Sequence, residues 1–108
     1  MKKREIWMAD LPEGKGHEQK GTRPCLVMGK IYGLVCIIPL TSSENRSSMA
    51  FTELIDATPS SGLNQDSVAL IFQMRTISEE RFVKKIGEIT EKQQESIDFQ
   101  IKEMLKLK

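Results

Sequence analysis

The strongest constraint in this sequence is its punctuation. Apolar runs of strand length recur along most of the chain, separated by glycine, proline and serine-rich stretches, and only the last twenty residues carry a helical repeat. Glu5 to Ala9 alternates Ile6 and Met8 against Glu5, Trp7 and Ala9, the period-two pattern of a half-buried strand. Leu11 to Gly21 holds three glycines and a proline and reads as a long charged loop. Cys25 to Met28 and Leu34 to Leu40 are strands joined through Gly29 to Gly33, a tight hairpin. Pro39 cannot donate to a ladder, so it should sit where its strand leaves the sheet. Thr41 to Ser48 is a polar loop, Met49 to Ile55 an edge strand, and Ala57 to Asn64 is rich in turn residues.

Ser67 to Thr76 is the strongest strand. Val68, Leu70, Phe72 and Met74 fall on one face, and Ala69, Ile71, Gln73 and Arg75 on the other, which turns polar at Gln73. Arg81 to Ile89 is a last short strand. Thr90, with Gln93 three residues later, is a capping box that opens a helix whose apolar stripe is Ile97, Ile101, Met104 and Leu105. Phe99 lies off that stripe. Five or six short strands before a single terminal helix predict a mainly β fold, a small closed or partly closed antiparallel barrel with a C-terminal α-helix.

A chain of 108 residues suits one domain, taken here as 1–108, with a core modest enough that a second subunit would cover part of its apolar surface. Net charge is only +1, so bulk charge does not advertise a nucleic-acid binder. The distribution is more telling. Residues 1–30 carry seven Lys/Arg against four Asp/Glu, whereas residues 31–66 carry one against four. A basic patch forms if the first segment lines one face, and a phosphate backbone asks for no more. No apolar stretch approaches membrane-spanning length and no signal peptide is recognisable. The cytoplasm is the expected compartment, and Cys25 and Cys36 are expected as reduced core thiols rather than a disulfide.

Most familiar chemistries are missing. One His and two separated Cys cannot assemble a zinc set, the acidic residues are too scattered for a magnesium site, and no phosphate-binding glycine loop or Gly-x-Ser-x-Gly elbow occurs. No cofactor and no metal are expected. What remains is polar chemistry at strand ends: Glu18 to Pro24, Pro39 to Ser43, and Gln73 to Thr76. If the second and third strands pair as a hairpin, Arg23 and Thr41 meet on one rim. By themselves, Arg23 reads first as a solvated rim charge at the start of a strand, and Thr41 can be a plain loop-capping hydroxyl. His17, between glycine-rich neighbours, reads as a surface residue before a proton-transfer group.

Three segments in order resemble the motifs of the MazF/PemK toxins. Trp7 to Leu11 followed by Glu18-Gln19-Lys20-Gly21-Thr22-Arg23-Pro24 is similar to the first, with its Glu-Gln-x-Gly-x-Arg-Pro core. Pro39-Leu40-Thr41-Ser42 resembles the second, and Asp66-Ser67-Val68 with Gln73-Met74-Arg75-Thr76 the third. With the closing helix, the resemblance spans nearly the whole chain. It implies an SH3-like barrel and an endoribonuclease that cleaves single-stranded mRNA without metal, leaving a 2′,3′-cyclic phosphate and a 5′-hydroxyl. It implies Arg23 and Thr41 as catalytic residues, with RNA contacts from Glu18, Gln19, Lys20, Ser42, Gln73 and Arg75. It also implies a homodimer, a cognate MazE-like antitoxin and, only as the toxin–antitoxin complex, operator DNA.

Two departures stand out. Gly29 to Gly33 is shorter than the family's usual connection there, which often touches substrate, and His17 stands where many relatives have a small residue. Two other readings compete. A gyrase inhibitor of the CcdB type shares the fold but depends on a Trp near the C-terminus, and here the single Trp is Trp7. A barrel that binds RNA or antitoxin without cleaving is the second.

Overall fold

The computed structural model describes residues 1–12, 21–42 and 49–107. It contains β1 (Glu5–Leu11), β2 (Gly21–Ile31), β3 (Leu34–Thr41), β4 (Thr52–Ile55), β5 (Ser67–Leu70), β6 (Arg75–Ser78), β7 (Phe82–Glu88) and α1 (Glu91–Leu105). The strands pair antiparallel in the order β4-β5-β3-β2-β1-β7, and β6 also pairs with β3. The expected mainly β architecture with one terminal helix is what forms. Its ladder is not closed: β4 and β7 are the two ends.

β2 and β3 sit at the centre of this sheet and are buried on both faces, which is why they read as near-continuous apolar runs rather than alternating ones. On one face Ile6, Leu26, Ile38, Leu40 and Ala69 pack with Ile89 and Ile97. On the other Ala9, Cys25, Val27, Val35, Ile37 and Ile77 pack beneath Trp7 and Phe82. The hairpin is tighter than its glycines suggested. Strand pairing runs to Ile31↔Leu34, so only Tyr32 and Gly33 turn, both at positive φ (53° and 75°), as a two-residue turn of the primed type requires. Gly29 and Lys30 belong to β2, which bulges between Val27 and Gly29.

Pro39 does not mark the end of its strand. It lies between the part of β3 that pairs with β6 (Leu34 to Ile37) and the part that pairs with β5 (Leu40 and Thr41), where no ladder donor is needed. The long strand expected over Ser67 to Thr76 is likewise corrected: β5 and β6 both pair with β3, but a 3-10 turn over Ile71–Gln73 separates them. Ala69 opposes Leu40 and Arg75 opposes Ile37, so three residues are inserted into the register. An odd insertion flips the faces. Ala69 therefore joins Leu40 in one cluster, and Ile77 joins Val35 and Ile37 in the other. The face shared by Ala69, Ile71, Gln73 and Arg75 does not exist.

The helix begins as expected. Thr90 Oγ1 accepts from Gln93 N at 3.1 Å and Gln93 Oε1 accepts from Thr90 N at 2.8 Å. Ile97 is buried and Ile101 and Met104 pack against the same cluster, whereas Leu105 and Phe99 are exposed. Ser96 and Gln100 donate to Glu53 at 2.7 and 2.9 Å, fastening α1 to the edge strand β4.

Candidate active site

Antiparallel pairing of β2 and β3 sets Cys25 against Pro39. Continuing that register by two residues brings Arg23 to Thr41, the meeting expected from the hairpin. Both are half-buried. Both line one cavity of about 560 Å³, together with Ser42.

Further lining comes from β1, from β7 and from the segment that precedes β5. Met8 of β1 and Lys84 and Ile86 of β7 form one group of lining residues, and Gly62, Leu63, Asn64 and Gln65, beside Ser67, form a second. Strand pairing explains the first group: Met8 opposes Pro24 on one side and Lys84 on the other. The second group is held by a dense local network. The Ser61 hydroxyl accepts from Thr58 N at 3.0 Å and donates to Asp56 O at 2.8 Å, and Ala57 N donates to the Asp66 carboxylate at 2.7 Å. Glu88 N donates to Ser60 O at 2.9 Å, tying the segment to β7. The contact is close enough that a Cβ on Gly62 would stand 1.8 Å from Ile86 O, and one on Gly87 would stand 2.2 Å from Ser61 O. The described lining residues thus include two cations, three short polar side chains and two amides, with no carboxylate, a chemistry suited to a phosphate chain.

Gln73 and Arg75 do not line this cavity. With Phe72 and Met74 they border a smaller recess of about 210 Å³. The two sites are nonetheless neighbours through Cys25, whose thiol feels both guanidiniums. Burial pushes that thiol up to about 12, against the opposing pull of Arg23 and Arg75. Burial also raises Cys36. Both shifts favour the neutral thiol over the nucleophilic thiolate. Glu18, Gln19 and Lys20, with His17, lie outside the described residues. Sequence reasoning passed over Lys84, Asn64 and Gln65. The only signal for them was negative: Asn64-Gln65 adjoins the third motif, and Lys84 sits in a strand whose partner, β1, is some 75 residues away in sequence.

Among the described residues no group of three His, Cys, Asp or Glu side chains gathers as a metal site, and no helix is long and apolar enough to cross a membrane.

A family model describing PemK-like, MazF-like toxins of type II toxin–antitoxin systems matches residues 2–105. Among curated proteins, endoribonuclease MazF9 of Mycobacterium tuberculosis is 29% identical over 112 residues, covering 94% of this chain and 93% of its own. Endoribonuclease EndoA of Bacillus subtilis is 28% identical over 102 residues, covering 91% and 88%. Among solved structures, the Mycobacterium tuberculosis toxin MazF-mt6 superposes with a TM-score of 0.79 at 24% identity, over 97% of this chain and 99% of that one.

Proposed function

Because the chain belongs to the PemK-like, MazF-like toxins of type II toxin–antitoxin systems, we propose that it is a metal-independent, sequence-selective endoribonuclease of the cytoplasm that cleaves single-stranded RNA, works as a homodimer and is restrained by a cognate MazE-like antitoxin. The observation that carries this reading is the meeting of Arg23 and Thr41 in one cavity lined by cations and amides. The relatives named above as endoribonucleases, matched over nearly their whole length, support it.

Without metal, RNA is cut by its own 2′-hydroxyl. The 2′-oxygen attacks the adjacent phosphorus, its proton departs, and the bond to the 5′-oxygen breaks as that oxygen takes up a proton. The products are a 2′,3′-cyclic phosphate and a 5′-hydroxyl, and no water is consumed. Negative charge builds on the two non-bridging oxygens during the attack, so a donor poised there accelerates it. A planar guanidinium grips two such oxygens at once and stays charged throughout the physiological range. Arg23 therefore stabilises the pentacoordinate phosphorus. The Thr41 hydroxyl, arriving from the neighbouring strand, donates to the same group and fixes its position. Ser42 contacts RNA from the cavity edge, Gln73 and Arg75 from the adjoining recess, and Glu18, Gln19 and Lys20 from the segment that leads into β2.

Incubation of the purified protein with long single-stranded RNA in EDTA, followed by end-group analysis, tests this. Cleavage leaving cyclic phosphate and 5′-hydroxyl ends is expected. Activity abolished by chelation and restored by magnesium would sink the mechanism, and binding without cleavage would leave only the non-catalytic barrel.

A further inference from the structure

β7 carries two consecutive lysines with different fates. Lys85 opposes Trp7, and its ammonium lies 3.2 Å from the Glu5 carboxylate. Lys84 opposes Met8, which on its other side opposes Pro24, so Lys84, Met8 and Pro24 form one row across three neighbouring strands. All three line the cavity that holds Arg23 and Thr41. Lys84 is exposed and makes no ion pair with another described residue. No carboxylate among the described lining residues neutralises it.

We propose that Lys84 is a substrate-positioning cation that holds a backbone phosphate of the RNA flanking the one gripped by Arg23. This rests on the nuclease reading above. Two strand spacings separate β7 from β2, about 10 Å between backbones, so the row carries the nucleic acid across β1 and gives the two cations different phosphates. The chemistry of the two side chains divides the labour. A guanidinium fork matches the changing geometry of a reacting phosphorus, whereas an ammonium is a compact point charge on a flexible stem that neutralises a phosphate whatever its orientation. A flanking phosphate carries the same charge in the ground state and the transition state. Its grip is therefore uniform binding, felt in affinity and not in turnover. The row would also fix the direction in which the strand crosses the site.

The test uses a random-sequence 2′-O-methyl RNA, whose blocked hydroxyl prevents cleavage, bound to wild-type, Lys84→Ala, Lys84→Arg and Lys102→Ala proteins across a salt series. One phosphate contact on a single strand contributes a slope of about 0.7 in log K against log salt, and Lys84→Ala should lose that much. Lys84→Arg and the helix control Lys102→Ala should keep the wild-type slope. On cleavable RNA, Lys84→Ala should raise KM and leave kcat unchanged. An unchanged slope in Lys84→Ala, or a fall in kcat at constant KM, overturns the assignment while leaving the nuclease intact. A wild-type protein that neither binds nor cuts RNA overturns the nuclease reading and this assignment with it.

Discussion

Arg23 and Thr41 reach the cavity from paired strands whose register is locked by buried neighbours, so either side chain can be changed without disturbing the ladder that presents it. Arg23→Ala is expected to fold and to lose about a hundredfold or more in cleavage rate, the usual consequence of removing a donor aimed at developing charge. Thr41→Ala should behave likewise, and Thr41→Ser should keep much of the activity because the hydroxyl survives. A folded Arg23→Ala protein with full activity would move the chemistry elsewhere and make His17 the first candidate. This pair was legible in the sequence because a short hairpin forces the start of one strand against the end of the next. Lys84 was not, because nothing local says which strand lies beside β1. A second single-residue expectation concerns Glu5. Burial alone would raise its carboxyl, but hydrogen bonds from Trp7 Nε1 at 2.9 Å, Lys2 N at 3.0 Å and the Lys85 ammonium outweigh it and hold the group at about 2, against an ordinary 4.5. A lowered folded-state value stabilises the fold above pH 4.5, and the gain disappears as pH falls toward 2. Glu5→Gln should therefore be less stable than wild type at pH 7 by on the order of 2 kcal/mol. The two urea midpoints should converge below pH 4.5, and a constant gap down to pH 2 would refute the assignment.

At the scale of elements, the site depends on one irregular segment more than on any strand. Residues 56–66 supply four of the cavity's lining residues, Gly62 to Gln65, and they hold their place through Ser61, Asp66 and the contact of Gly62 with β7. Gly62 has φ of +71° and no room for a Cβ beside Ile86 O. Gly62→Ala should thus cost about 2 kcal/mol or more, through backbone strain and displacement of β7, and should lower activity beyond what stability explains. A chemical-denaturation midpoint equal to wild type would show that the two segments separate freely. The turn-rich reading of this stretch was right about its composition but gave no hint that it packs on the last strand. A glycine whose purpose is close approach looks, in sequence, like any loop glycine. The 3-10 turn at Ile71–Gln73 was hidden for a related reason. Val68, Leu70, Phe72 and Met74 keep a perfect alternation with no Gly or Pro to announce a break. The break follows from β3, along which β5 and β6 are paired three residues out of register. The capping box, by contrast, is local chemistry and was legible outright.

For the whole molecule, the helix closes only one face, and large apolar side chains remain outside: Tyr32 is 94% exposed, Ile31 64% and Phe99 63%. Such surface on a small domain favours pairing of copies, and the expected homodimer should show twice the 12.3 kDa chain mass in light scattering at micromolar concentration. A monomeric mass there would refute it. The proposed restraint by an antitoxin fits the charge of the cavity. The cavity gathers Arg23 and Lys84 in a chain whose net charge is only +1, and the described lining residues answer them with no carboxylate. Whatever blocks this site must offer the chemistry of a phosphate chain, and an extended acidic segment does so at the least cost in shape. Such a segment is expected to be disordered when free and to order on the rim as it binds. Antitoxin and RNA should therefore exclude one another. In an anisotropy assay with labelled 2′-O-methyl RNA, the cognate antitoxin should release the RNA at concentrations matching its own affinity. Arg23→Ala should weaken both ligands, because both place negative charge against the same guanidinium. A stable ternary complex, with RNA still bound at saturating antitoxin, would mean that inhibition acts from outside the cavity.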